Sequence, residues 1–251
     1  MKYRLTNETI KVGEVILHRI ECVEDFSNVK TGDKGGWIEK ESNLSQTGNA
    51  WVRDNAKVYG DAQILDNVEV YGNAEVYGNA EVYGNAEVCG NAKVCVNTKV
   101  YGNAKVYGNA EVCVNAKVHG NAWVYGNAWV YGNAKVYDNA RVHGDAWVYG
   151  DAVVHGNAWV CGDAEVYGDA EVHGNAEVHG NAWVCGNAKI SRNSDYIVFK
   201  NNFSSGRYFT WTRSNNMWTV GCFCGTGEQL IERARRDSEK KARCYALYVK
   251  L

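Results

Sequence analysis

Between residues 48 and 193 the chain cycles through small, polar and apolar positions with a period of six. A small residue stands at Ala50, Ala56, Ala62 and every sixth position to Ala188, displaced only by Val68 and Thr98. Two residues later comes Val, or Ile at Ile64 and Ile190, and a polar or aromatic side chain usually separates the two. This alternation is the mark of a strand with one buried face. The next slot holds Tyr, His or Cys in 21 of 24 hexads, then usually Gly, then Asn or Asp without exception. Gly-Asn and Gly-Asp accept positive φ at little cost, so each hexad ends in a corner. A short strand and a corner every six residues predict a solenoid, because one such unit cannot bury its own apolar side.

The 24 hexads run without insertion or deletion, and the phrase A-x-V-Y-G-N resembles the hexapeptide repeat of left-handed parallel β-helices. Three hexads make one triangular coil in that fold. The resemblance implies an all-β solenoid of about eight triangular coils, with successive coils about 4.8 Å apart and a prism about 40 Å long. Each coil buries three Val or Ile and three small residues. At about 1.5–3 kcal/mol per buried aliphatic side chain, that is modest beside the ordering entropy of a coil. Stacking of coil on coil must supply the rest, and the ends must be covered.

The flanks read as those covers. Residues 1–47 lack the period; KYRLT and TIKVGEVILHRIECV, with Gly13 at a turn, predict a short β N-terminal cap. This leader resembles the start of the YdcK-like hexapeptide proteins, a bacterial family labelled as acyltransferases. The matching stretches are KYRL at 2–5, DFSNVKTGDKGGWIE at 25–39 and NLSQTGNAWVRDNA at 43–56. Similar leaders occur in phage and prophage proteins of unassigned function. The resemblance implies architecture and evolutionary neighbourhood, and it carries no catalytic residue. Residues 194–251 also leave the period. DYIVFK and RYFTWTRSNNMWTVGCF predict strands, the second folded at Ser214-Asn215-Asn216, and Glu228 to Lys250 predicts helix broken near Asp237-Ser238. The expected domains are therefore a cap at 1–47, a solenoid at 48–193 and a small α+β cap at 194–251.

Composition narrows the function classes. Lys+Arg 27 against Asp+Glu 29 gives a net charge of -2, with no bulk pull toward nucleic acid or anionic membrane. Gly 27 with Pro 0 suits a fold whose residues nearly all donate to a ladder. MKYRLTNETI has no apolar core of signal-peptide length, so a reducing cytoplasm is expected. The nine Cys are odd in number and scatter over a slot shared with Tyr and His, unlike a disulfide framework. Cys95 and Cys113 fall within bonding distance one coil apart, yet a reducing compartment predicts free thiols.

The outward slots hold the candidate chemistry. Six Trp occupy them, and four fall in coils five to seven: Trp123, Trp129, Trp147 and Trp159. Trp129 and Trp147 are stacked neighbours with Tyr131 and Tyr149 alongside. Trp123, Arg141 and Trp159 form an aromatic–cation–aromatic column beside Tyr125. Cross-strand aromatic ladders stabilise sheets by about 0.2–1 kcal/mol per pair. Earlier coils fill the same slots with alternating Lys57, Glu75, Lys93 and Glu111, so clustered Trp also predicts a contact surface. His143, Cys161 and His179 stack in successive coils and are the foremost zinc-type set. The spacing of hexapeptide carbonic anhydrases, two His five apart, is absent, so neither metal nor cofactor is expected. Lys99, Lys117 and Lys135 stack beside Tyr101, His119 and Tyr137, but solvated lysines on a repeat face do not make a nucleic-acid groove.

These observations lead to a non-catalytic binding or scaffold protein, with a phage origin as one source. Its partner would be a protein, another copy such as in a homotrimer, or a glycan. The alternative is a YdcK-like acyltransferase with its site between subunits, because a trunk without ejected loops has no cleft of its own.

Overall fold

The computed structural model describes residues 1–202 and 205–250, so the expected C-terminal cap is described apart from residues 203, 204 and 251. The trunk is a parallel β-solenoid with three sheets, one per face of the prism. The first face stacks Trp51, Glu69, Glu87, Lys105, Trp123, Arg141, Trp159 and Glu177 in register. The second runs from Lys57 to Trp183 and the third from Gln63 to Lys189, each with the same register of one coil per rung. Every Val or Ile of the repeat, and every small residue, points inward and is buried.

One expectation needs correction: the solenoid has about nine turns rather than eight. In the leader, β1 (Tyr3–Val12) and β2 (Val15–Cys22) form a hairpin, and β3 (Lys34–Ile38) follows antiparallel to β2. β3 then pairs in parallel with the second face, Trp37 opposite Lys57, and Leu44 bridges Ile64. Those pairings span 20 residues where the repeat uses 18. The extra turn escapes the hexad pattern because its one matching phrase, Gly36-Trp37-Ile38, stands 20 residues before Ala56-Lys57-Val58 and is not repeated. A Gly35-Gly36 pair marks it, and a Cβ at Gly36 would sit 2.7 Å from the Ala56 carbonyl oxygen.

The caps match the backbone chemistry of the two ends. In this register the small-slot carbonyls point toward the N-terminal end, and the next residue's N–H points toward the C-terminal end. The three small-slot carbonyls of the first coil therefore need donors, and the three matching N–H groups of the last coil need acceptors. Lys2 Nζ donates to Ala50 at 2.8 Å, Trp37 N–H to Ala56 at 2.9 Å and Asn43 Nδ2 to Ala62 at 2.9 Å. At the other end Asn193 Oδ1 accepts from Glu177 N–H at 2.8 Å, Thr210 Oγ1 from Trp183 at 2.9 Å and Ser214 Oγ from Lys189 at 2.6 Å. One rung of each face is thus closed at either end. Burial of Lys2 for this purpose lowers its pKa to about 8, with the Cys22 thiol opposing.

The C-terminal cap is a four-stranded antiparallel sheet, Tyr196–Lys200, Tyr208–Thr212, Met217–Val220 and Phe223–Thr226, under helices α1 (Gly227–Asp237) and α2 (Glu239–Val249). Thr226 and Gln229 form a capping box at the start of α1, and Ser238 breaks the helices and caps α2, as the Asp237-Ser238 signal predicts. Phe209, Trp218, Val220, Leu230 and Tyr245 give this cap its own core. No helix among the described residues is long and apolar enough to cross a membrane.

The prediction of free thiols is also overturned: Cys95 is bonded to Cys113, and Cys185 of the last coil to Cys224 of the cap. In-register stacking puts the first pair 4.7 Å apart at Cα, as the spacing allowed. The next residues, Val96 and Val114, replace corner glycines at φ +46° and +56°, a conformation costly for a β-branched side chain. The bond thus spans the two most strained corners.

Candidate functional site

The aromatic patch wraps one edge of the prism, where the chain crosses from Trp123 on the first face to Trp129 on the second. Val124 and Val130 anchor these rungs inward, which forces the residue before each of them outward. Trp129 stacks on Trp147 at 5.3 Å and 8°. Tyr131, Tyr149 and Tyr167 continue beside them at 5.0 Å per step. Tyr149 donates to Glu165 at 3.0 Å; burial first, then that carboxylate, pushes its pKa up. On the first face the Arg141 guanidinium lies 4.8 Å from Trp123 and 5.0 Å from Trp159, as the column predicts. Tyr125 stacks between Tyr107 and His143, each at 4.8 Å.

Stacking settles what this surface offers. Ring faces are turned to neighbouring rungs, so Trp129, Trp147 and Trp159, 39–40% exposed, present mainly their edges and indole N–H groups. Trp123 is half-buried. Trp51, assigned to the same outward series by sequence, is not on the surface: Phe26 at 5.5 Å and Tyr3 at 6.4 Å fold over it, leaving 6% exposed. The leader covers it because the first coil must be closed.

The patch has an acidic border that the overall charge conceals. Residues 142–188 carry seven Asp or Glu and no Lys or Arg. Two of the three corner ladders, built from Asn side chains that each donate to the next, break here. Asp145 meets Asp163 and Asp151 meets Asp169, carboxylates one rung apart that only accept hydrogen bonds. The third ladder runs unbroken from Asn49 to Asn175.

The zinc-type set does not converge. His143 stacks on Tyr125 and lies 6.2 Å from the Trp159 ring, Cys161 contacts Glu177 at 3.9 Å, and His179 lies edge-on to Tyr196. Among the described residues no group of three His, Cys, Asp or Glu is placed to hold a metal ion. Lys99 pairs with Glu81 at 2.8 Å, whereas Lys117 and Lys135 have no ion pair among the described residues. They border a column of six stacked rings, Tyr83, Tyr101, His119, Tyr137, His155 and His173, legible as Tyr and His alternating in one slot.

This stacking gives a pH dependence. Burial lowers the pKa of His119, with Lys117 and Lys135 acting the same way and Asp138 opposing. Burial lowers that of His143 too, with Arg141 assisting and Glu177 opposing. A His whose folded pKa lies below its unfolded value takes up its proton first when unfolded, so stability is full above about pH 6.5 and falls below it. The melting temperature is expected to drop between pH 7.5 and 5.5. The double change His119→Tyr and His143→Tyr, residues this slot accepts elsewhere, should flatten that drop; an unaltered slope in calorimetric scans would refute the assignment.

Cavities of ligand size lie at the two ends. One of 360 Å³ sits between the leader loop and the first coil, lined by Arg19, Asn28, Asp33, Trp51 and Arg53. Another of 340 Å³ lies between the last coil and the C-terminal cap, and a 650 Å³ depression runs beside α1. Sequence reasoning did not find these, because each depends on how a cap seats.

Residues 134–150, within the aromatic stretch, match the family model described as YdcK Beta solenoid repeat. The chain is also 38% identical over 61 residues to a protein named "Uncharacterized acetyltransferase YdcK" from Escherichia coli (strain K12). That alignment covers 21% of this chain and 19% of the relative, so the chain spans about a fifth of the relative's length.

Proposed function

We propose that this hexapeptide-repeat solenoid, which carries a YdcK-type repeat, is a binding module that docks a protein partner on the edge formed by Trp123, Trp129, Trp147 and Trp159. The observation that carries the reading is the pairing of clustered, partly exposed indoles with an acidic margin at Asp145, Asp163, Asp151 and Asp169. Exposed Trp on a flat wall is a hydrophobic liability unless something covers it. The margin favours a partner, or a second copy, with a basic rim. A glycan is the weaker fit, since sugar stacking needs ring faces and the rungs already occupy them. The double change Trp129→Ala and Trp147→Ala should abolish self-association in native mass measurements, or partner capture in pull-downs. Unchanged profiles in both would remove the reading.

A second reading, acyl transfer at a site between subunits, draws on the relative's printed name. Saturable acetyl-CoA binding by calorimetry would favour it, and no heat at millimolar concentration would count against it.

A further inference from the structure

We infer that the cleft between the last coil and the C-terminal cap is a binding site for a small planar aromatic anion. It is separate from the trunk edge and does not rest on the reading above.

Trp123, Trp129, Trp147 and Trp159 each lie between two rungs, whereas Trp183, like the leader-covered Trp51, has only one. Glu165 precedes it in register, and the position one coil further, Asn201, is already in the cap. Among the described residues no ring contacts Trp183. Its backbone is held firmly by the Thr210 hydroxyl at 2.9 Å, and the neighbouring Cys185 is bonded to Cys224, so the indole stands on a rigid support. Opposite it the cap strand contributes Tyr208 and Thr210, and the space between measures 340 Å³, the lower end of the range for small-molecule sites.

Polar groups on the cleft define the ligand's charge. Asn181, whose amide donates to Asp163 at 3.1 Å, Arg207, Thr219, Gly221 and Cys222 complete the lining, and no carboxylate is part of it. The Thr210 hydroxyl is engaged with Trp183, and that of Thr219 with Cys185 at 3.2 Å. Arg207 makes no ion pair among the described residues; the nearby Asp237 is claimed by Lys241. A second cation, Lys200, lies 5.6 Å from the Tyr208 ring. An aromatic wall with an unclaimed guanidinium fits a two-ring carboxylate or sulfonate: the ring system stacks on Trp183, and the anion forms a charge-assisted pair with Arg207.

The test uses 2-naphthoate on the full chain by titration calorimetry. One saturable site per chain is expected. Trp183→Leu and Arg207→Gln should each weaken it by about tenfold or more, and the neutral alcohol 2-naphthylmethanol should bind about tenfold more weakly than the carboxylate. The change Trp129→Ala with Trp147→Ala should leave it intact. Bound 2-naphthoate should also slow alkylation of the exposed Cys222 by N-ethylmaleimide, read by peptide mass mapping, by roughly fivefold. Absence of saturable heat with the unaltered protein, equal affinity for acid and alcohol, or affinity undiminished in both cleft variants would overturn the assignment.

Discussion

Val124→Asp is expected to split the single thermal transition of the trunk in two and to cost about 4–5 kcal/mol. Val124 is fully buried between Val106 and Val142, the rungs above and below it. A carboxylate there meets only Val and Ala side chains and has no donor to satisfy it. Protonation relieves part of the cost, but the carboxylic acid still lacks partners. Because each coil touches only its neighbours, the damage is confined to the coupling between coils on either side, as in a one-dimensional array. Hydrogen exchange should show lost protection at Lys105–Val106 and Arg141–Val142, while the ends, closed by their caps, remain protected. A single transition within a few degrees of the parent would disprove this account of the core.

The second large effect is expected at Gly36. A Cβ there would lie 2.7 Å from the Ala56 carbonyl oxygen and 2.7 Å from Val52 Cγ1. The carbonyl belongs to the ladder itself and accepts from Trp37 N–H at 2.9 Å, so it cannot retreat. Gly36→Val should therefore lift the leader from the first coil, with a loss of about 3 kcal/mol or more. Lifting it strips the donors from Ala50, Ala56 and Ala62 and uncovers Trp51. An open parallel edge with an exposed indole should then drive association at micromolar concentration, visible in light scattering. A variant with the parent's melting temperature and no more scattering than the parent would show that the leader tolerates the volume and that the edge needs no cover.

How far the sequence announces this structure varies along the chain. From Ala50 to Ile190 it does so almost completely, because a prism interior admits only small and β-branched residues and the six-residue spacing of corners leaves one register. The two helices and the hairpins at Gly13 and Ser214–Asn216 follow from ordinary turn and capping signals. The ninth turn escapes because Trp37, Ile38 and Leu44 enter the stack from a hairpin rather than from a hexad. The burial of Trp51 escapes for a related reason: outward in the repeat is not outward once a leader folds across the first face. The aromatic edge was legible as a list of residues, and the chain order alone brings Trp129 over Trp147. That the rings turn edge-on was not legible, since it depends on how side chains one rung apart pack. The cleft at Trp183 required knowing where the stacking stops and what takes its place.

The three donors at one end and the three acceptors at the other have a consequence for size. Each cap addresses the same trio of backbone groups that any interior coil would offer, so the coils between them are interchangeable spacers. Gain or loss of one 18-residue unit should leave both closures intact and change the distance between them by one strand spacing, about 4.8 Å. The molecule is in this sense a gauge block, its reach set in whole steps by how many identical phrases lie between two fixed ends.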